Sequence, residues 1–377
     1  MKFEILVDRK LDERTLESLL GVWNSKLRNL PPTAPVASEA VPPGSAPTVS
    51  SPAGSLDPSP FDPPAFARQT EFPFPDPVPA AGKGAAPDPA PSVPGGRFPA
   101  GSRVVIDLRG VTFALPHGTV SVLEFGRFVK SQGVLPVLLV PESAQVQSYL
   151  DRVDFFRQAA DIFEFSNFSM EGVRRKASSD VLLEITPIRQ SKDIHYIVGR
   201  VRGQARRILE KHLGYTENDI SRFIVALSEI CQNIIEHSED TGYVAIQKYF
   251  YKEKLGRNVA MIAVTDLGVG MRRSLYPRLG ERFGVEWNDV TAIRQAFEHG
   301  VSRHDDPGRG NGLRCVRELV EAWSGKITIR SGTARVNRIP GWAYPGRAIE
   351  RELAEFPGTQ IFLTLPQAGT AALAHEE

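Results

Sequence analysis

Twenty of the chain's 30 prolines fall between residues 31 and 102, and this stretch constrains the fold more than any other feature. Proline locks φ and offers no N–H. The Ala, Ser and Gly around it supply too little apolar surface to offset the entropy of ordering. Residues 31–102 therefore read as a disordered, extended Pro/Ala/Ser-rich linker, in which Phe61, Phe66, Phe72 and Phe74 are scattered aromatics that could serve a partner as a docking patch. Ordered structure is confined to the flanks: a small β-α segment at 1–30, a domain at 103–166 and a larger one at 180–366.

A chain of 377 residues has room for two or three domains. Its 45 Lys plus Arg against 44 Asp plus Glu give a net charge of +1, which is no footprint for a nucleic-acid backbone or an anionic membrane. No stretch approaches the ~18 apolar residues of a membrane span, so a cytoplasmic protein is expected. Cys231 and Cys315 lack CxxC spacing and lie in helical patterns, which reads as reduced, buried thiols.

Lys2 to Val7 reads as a strand, and Leu16, Leu19, Leu20 and Trp23 follow at helical spacing. Beyond the linker, RVVIDL and VLPVLLV read as strands, and GTVSVLEFGRFVKSQG and SAQVQSYLDRVDFF as helices. This β-α-β-α order predicts parallel strands joined by a right-handed crossover. The string VVIDLRGVTFALPHGTVSVLEFGRFVKSQG resembles the STAS domain of anti-sigma-factor antagonists. The resemblance implies a loop ending in Gly118, preceded by a residue that is often a phosphorylatable serine. His117 holds that place, and it reads as a surface or structural residue rather than a phosphoacceptor.

Chemistry concentrates farther on. On a helix from Asn218 to Ser238, Phe223, Leu227, Ile230 and Ile234 share one face, and Glu229, Asn233, Glu236 and His237 an adjacent polar stripe. Glu229 and Asn233 stand one turn apart and can serve one site. Hard Mg²⁺ takes oxygen ligands and keeps several waters, so the Asn233 amide oxygen plus nucleotide phosphates can hold it. A carboxylate one turn away, Glu229, can orient or deprotonate a nucleophile.

NVAMIAVTDLGVGM then reads as a strand ending in Asp-x-Gly-x-Gly. Asp266 at its end is an acceptor for the exocyclic amine of adenine, which guanine lacks at that position, and Gly268 and Gly270 let the backbone turn sharply. In PGRGNGLRCVRELVEAW, Gly308, Gly310 and Gly312 open a helix whose free N–H groups and dipole favour an anion. The string lacks the Lys and Ser/Thr of a Walker sequence and the GxGxxG spacing of a dinucleotide fold.

The order SEICQNIIEH, DLGVGM, GRGNGL, followed by the strands KITIRS and PGTQIFLTLP, resembles the nucleotide site of the superfamily shared by gyrase, the heat-shock chaperone, histidine kinases and MutL (GHKL). The resemblance implies an α/β chain ending in a two-layer α/β sandwich that binds ATP and Mg²⁺. It makes Glu229 the general base, Asn233 the Mg²⁺ ligand, Asp266 the adenine acceptor, Gly268, Gly270, Gly308, Gly310 and Gly312 the box glycines, and Thr359 a support for the base. SEICQNIIEHS is most similar to anti-sigma-factor serine kinases, and ITPIRQSKDIHYIVGRVRGQARRIL resembles the helix before their first box. No phosphoacceptor-histidine helix pair precedes the domain, which argues against an ordinary sensor histidine kinase. Residues 272–307 form a long insertion between the boxes, whose AIRQAFEHGVSRHDDPGRG predicts a helix and a mobile lid over the phosphates. The implied function is a regulator that transfers or hydrolyses the γ-phosphate to control a protein partner. The alternative is a non-kinase switch or scaffold that grips partners through its STAS-like and Pro-rich parts.

Overall fold

Phe3, Ile5 and Val7 alternate with exposed neighbours, which gives the first segment one apolar face. In the computed structural model this strand, β1 (Lys2–Leu6), lies parallel to β3 (Arg103–Asp107). The structure describes residues 2–28, 98–99, 101–171, 182–189, 199, 203, 206–237, 241–252, 255–301 and 312–368. The linker phenylalanines therefore lie outside the described residues. With β5 (Leu135–Leu139) and β6 (Glu164–Phe165), the strands form a parallel sheet in the order β1-β3-β5-β6. A short pair, β2 (Lys10–Leu11) and β4 (Phe113–Ala114), accompanies it.

Helices α1 (Thr15–Arg28) and α2 (Pro116–Ser131) bury Leu16, Leu19, Leu20, Trp23, Leu123 and Phe125 against Ile5, Val104 and Ile106. Residues 2–28 thus supply the edge strand and first helix of the layer that holds β3, β5 and β6. Their few apolar residues cannot form a core by themselves, and that sheet covers them. The helix read across SAQVQSYLDRVDFF is two, α3 (Ala144–Arg152) and α4 (Phe155–Ala160), broken at Asp154, whose φ is 65°.

The C-terminal half builds a seven-stranded sheet in the order β12-β11-β10-β13-β9-β8-β7. Its strands are β7 (Leu182–Ile188), β8 (Gly242–Tyr251), β9 (Arg257–Thr265), β10 (Lys326–Gly332), β11 (Ala334–Arg338), β12 (Ile349–Glu350) and β13 (Phe356–Pro366), every neighbouring pair antiparallel. The strands KITIRS and PGTQIFLTLP pair directly. One segment departs from expectation: ITPI, read as the start of a helix, is the end of β7. Its β-branched residues suit a pleated surface, and Pro187 is tolerated because β7 is an edge strand. Residues 190–198 of that string lie outside the described residues.

Helices α5 (Glu217–His237), α6 (Gly270–Phe283), α7 (Asp289–Glu298) and α8 (Gly312–Ala322) cover one face of this sheet. The apolar stripe read for the first box, Phe223 to Ile234, meets Val316, Leu319 and Val320 of α8 and Ile262, Val264, Ile361 and Leu363 of the sheet. Cys231 is buried here and Cys315 is half-buried, and both are free thiols. Burial pushes the Cys231 thiol up to about 12.

The opposite face of the sheet is covered too, so the expected two-layer sandwich carries a further layer. Helix α2 packs against β8 and β9. Tyr243, Ala245, Ala263, Phe356 and Phe362 join the core of the N-terminal layer. A helix with apolar residues on nearly every side is a buried helix, and α2 lies between the two sheets. His117 is accordingly not in a loop. It is the second residue of α2, 4 % exposed, with its ring stacked 4.6 Å from that of Phe362. Burial drives its imidazole down to about 4, despite the opposing charge of Glu13, so it is a neutral packing residue. Gly118 beside it lets α2 approach β2: a Cβ there would come 2.7 Å from the Leu11 Cα.

Ion pairs tie the same layers, the first of them close to His117. Glu13 bonds Lys326 at 2.6 Å, and Glu17 bonds Arg330 at 2.7 Å and Arg335 at 2.5 Å.

Candidate functional site

The period of α5 sets Glu229 and Asn233 one turn apart beside the apolar stripe. Asn233 is exposed and lines a cavity with Ile230 and Ile234 of the same helix. Glu229 does not line it. Its side chain turns toward the start of α8, where its Oε2 is sealed with no hydrogen-bond partner among the described residues. Burial raises the Glu229 carboxyl above the ordinary carboxylate range, and the backbone amide of Gly312 partly opposes the rise. A Cβ on Gly312 would stand 2.7 Å from Oε2. The first and third boxes therefore meet at Glu229 and Gly312, one turn from Asn233.

Asp266 follows β9 directly. Its N–H donates to the Thr359 carbonyl at 3.0 Å, and its Oδ1 accepts the Gly268 N–H at 2.7 Å. Gly268 thus serves the turn and does not line the cavity, whereas Asp266, Gly270 and Thr359 do. Gly270 has φ +73° and Gly358 φ +75°, conformations that favour glycine. Gly358 packs against the Asp266 carbonyl so closely that a Cβ there would stand 2.5 Å from the Asp266 carbonyl carbon. The second box and the Gly358–Thr359 turn are one knot. Gly308 and Gly310 lie outside the described residues, as do residues 302–311 of the lid; α7 supplies the expected helix.

Reading the boxes alone misses Ser331. Its Oγ accepts the Met271 N–H at 2.9 Å and donates to the Gly358 carbonyl at 3.0 Å. It therefore holds both positive-φ glycine turns. The signal was the Ser-Gly that ends KITIRSG, legible as a strand end but not as a contact with Met271, 60 positions earlier. Ser274, Met271 and Val301 also line the cavity, together with Ala296 and Leu313.

The cavity holds about 110 Å³, several times the ~10–15 Å³ needed by one water. Apolar walls from Ile230, Val264, Leu275 and Ile361 suit a planar ring, and Asp266 supplies a single charged acceptor. Among the described residues no group of three or more His, Cys, Asp or Glu could hold a metal by itself. The donor set at the cavity mouth fits a hard ion that takes one amide oxygen and completes its shell with phosphate and water. Among the described residues no helix is long and apolar enough to cross a membrane.

Residues 218–369 match the family described as histidine kinase-, DNA gyrase B-, and HSP90-like ATPase. No curated protein matches the chain. The match spans α5, both glycine turns and β13, the elements that bring Asn233, Asp266, Gly270 and Thr359 to one cavity. The C-terminal part of this α/β protein is a GHKL-type ATPase domain, a kind of domain that binds ATP.

Proposed function

We propose that the cavity binds Mg²⁺-ATP and that the protein is a regulator resembling anti-sigma-factor serine kinases, transferring or hydrolysing the γ-phosphate to control a protein partner. The observation that carries the reading is the meeting of the Glu229 carboxylate with Gly312 one turn from Asn233, at the rim of a cavity that also contains Asp266. In this reading Asp266 accepts the adenine amine, and Gly270 and Thr359 shape the base end. Asn233 offers its amide oxygen to Mg²⁺, which would neutralise phosphate charge. Gly312 brings the α8 N-terminus to the phosphates. Glu229, whose raised pKa favours proton uptake, takes the proton of the attacking hydroxyl or water. The upstream α/β layer, which resembles a STAS domain, and the Pro-rich segment are the partner-binding parts.

Transfer of labelled γ-phosphate to proteins captured with the chain tests the proposal. Wild type should label a partner or release phosphate. Glu229→Ala should retain ATP affinity and lose about 10²–10⁴ in turnover, the usual share of a positioned acid or base. Wild type that binds ATP but neither hydrolyses it nor labels a partner favours a switch. The packing of α2 directly on β9, the strand leading to Asp266, supports that second reading.

A further inference from the structure

Thr265 and Asp266 are consecutive, so their side chains leave the strand end on opposite sides. Asp266 lines the nucleotide cavity, while Thr265 is fully buried against α2. There the Thr265 Oγ1 donates to Glu124 Oε1 at 3.2 Å. Glu124 is 0 % exposed, an unusual place for a carboxylate. Its Oε2 accepts from Arg127 Nη1 at 2.9 Å. Arg127 also donates to the Thr241 carbonyl at the start of β8 and lies over the Tyr243 ring, 5.6 Å from its centroid. Tyr243 is the residue of β8 that pairs with Thr265.

A Glu–Arg pair carried by the upstream layer thus grips both strands at the end of the sheet where the nucleotide cavity opens. A leucine at position 124 would serve packing alone. A buried ion pair adds little stability over apolar side chains of similar volume, but it fixes register and geometry. The held residue is the immediate neighbour of the base-reading carboxylate. On the cavity side, the bond from the Asp266 N–H to Thr359 and the tight approach of Gly358 leave that peptide little freedom. Thr265 and Asp266 are joined by that peptide, so the hold on Thr265 and the hold on Asp266 act on one short piece of backbone.

We propose that Glu124 and Arg127 are positioning residues for nucleotide selection, through which the upstream α/β layer sets how Asp266 meets the base. This rests on the reading of Asp266 as the adenine acceptor.

The test is calorimetry of the full chain with Mg²⁺-ATP and Mg²⁺-GTP, comparing wild type with Glu124→Gln, Thr265→Val and Thr265→Ser. Wild type should prefer ATP. Thr265→Val removes the hydroxyl at nearly constant volume, and Glu124→Gln removes the charge that holds Arg127. Each should lower ATP affinity roughly tenfold, within the range of such coupling, and leave GTP affinity unchanged, so that the preference shrinks. Thr265→Ser, which keeps the hydroxyl, should retain the preference. Thr265→Val and Thr265→Ser decide the matter where Glu124→Gln does not fold. A wild-type ATP/GTP ratio in folded Thr265→Val overturns the proposal. So does an equal loss for both nucleotides together with a lowered melting temperature, the mark of a merely structural role. Wild type that binds both nucleotides equally sinks the adenine reading of Asp266 and this inference with it; wild type that binds neither sinks the ATP reading as well.

Discussion

The Oε2 of Glu229 lies sealed beneath Gly312, the first residue of α8, with 2.7 Å between that oxygen and the place a Cβ would occupy. A carboxylate held in this way binds its proton more tightly than an exposed one. Its pKa in the folded chain stands above the unfolded value because burial penalises the charged form. The stability this group contributes is therefore present below the unfolded carboxylate pKa and lost as pH rises through the folded one. Glu229→Gln should melt higher than wild type at neutral pH, and the two should converge as pH falls toward about 4. Melting curves across that range check it, and a gap that widens on acidification contradicts the raised pKa.

Asn233 is exposed on α5 and contributes no apolar surface to the core. Asn233→Ala should leave the melting temperature of the chain within a degree or two, since exposed substitutions stay within about 0.5 kcal/mol. Nucleotide binding should meanwhile become nearly independent of Mg²⁺, because an amide oxygen ligand is lost. Titrations with and without EDTA read this directly. An unchanged Mg²⁺ dependence would show that another group holds the ion.

Gly358 combines φ +75° with an overlap between any added Cβ and the Asp266 carbonyl. Backbone cannot yield as a flexible side chain can. Gly358→Ala should cost on the order of 1–3 kcal/mol from the positive φ alone and should also displace Asp266. The expected result is a lower melting temperature together with a loss of ATP affinity. Gly256, at φ +56° with open space around it, is the control: Gly256→Ala should cost only the backbone strain and leave nucleotide binding intact.

Arg330 is 2 % exposed, and its guanidinium bonds Glu17 of α1 at 2.7 Å and the carbonyls of Gly332 and Ala354. Glu17→Ala leaves that charge buried with only neutral acceptors, at a cost of about 3–5 kcal/mol. The double variant Glu17→Ala/Arg330→Met should recover much of the loss, because the stranded charge is gone. Denaturant unfolding of the two variants measures the recovery. A double variant no more stable than Glu17→Ala would mean the pair is not what joins α1 to β10.

Much of the C-terminal domain was legible in the residues themselves. The 3.6-residue period of Phe223, Leu227, Ile230 and Ile234 specifies which side of α5 packs. Asp266 after an apolar run and Gly312 before one mark a strand end and a helix start. These are local properties, carried by neighbours within a turn or two, and the order of the boxes then identifies the kind of site. The family resemblances put ITPI in a helix and His117 in a loop, whereas an edge strand and a buried helix start depend on what packs against them. Tertiary structure alone decided that Glu229 meets Gly312 without lining the cavity, and that Ser331 joins the two glycine turns. It alone placed α2 between two sheets, with Glu124 holding Thr265 across 141 positions of sequence. No periodicity encodes such a contact, because the apolar faces of α2 specify that it is buried but not against which sheet.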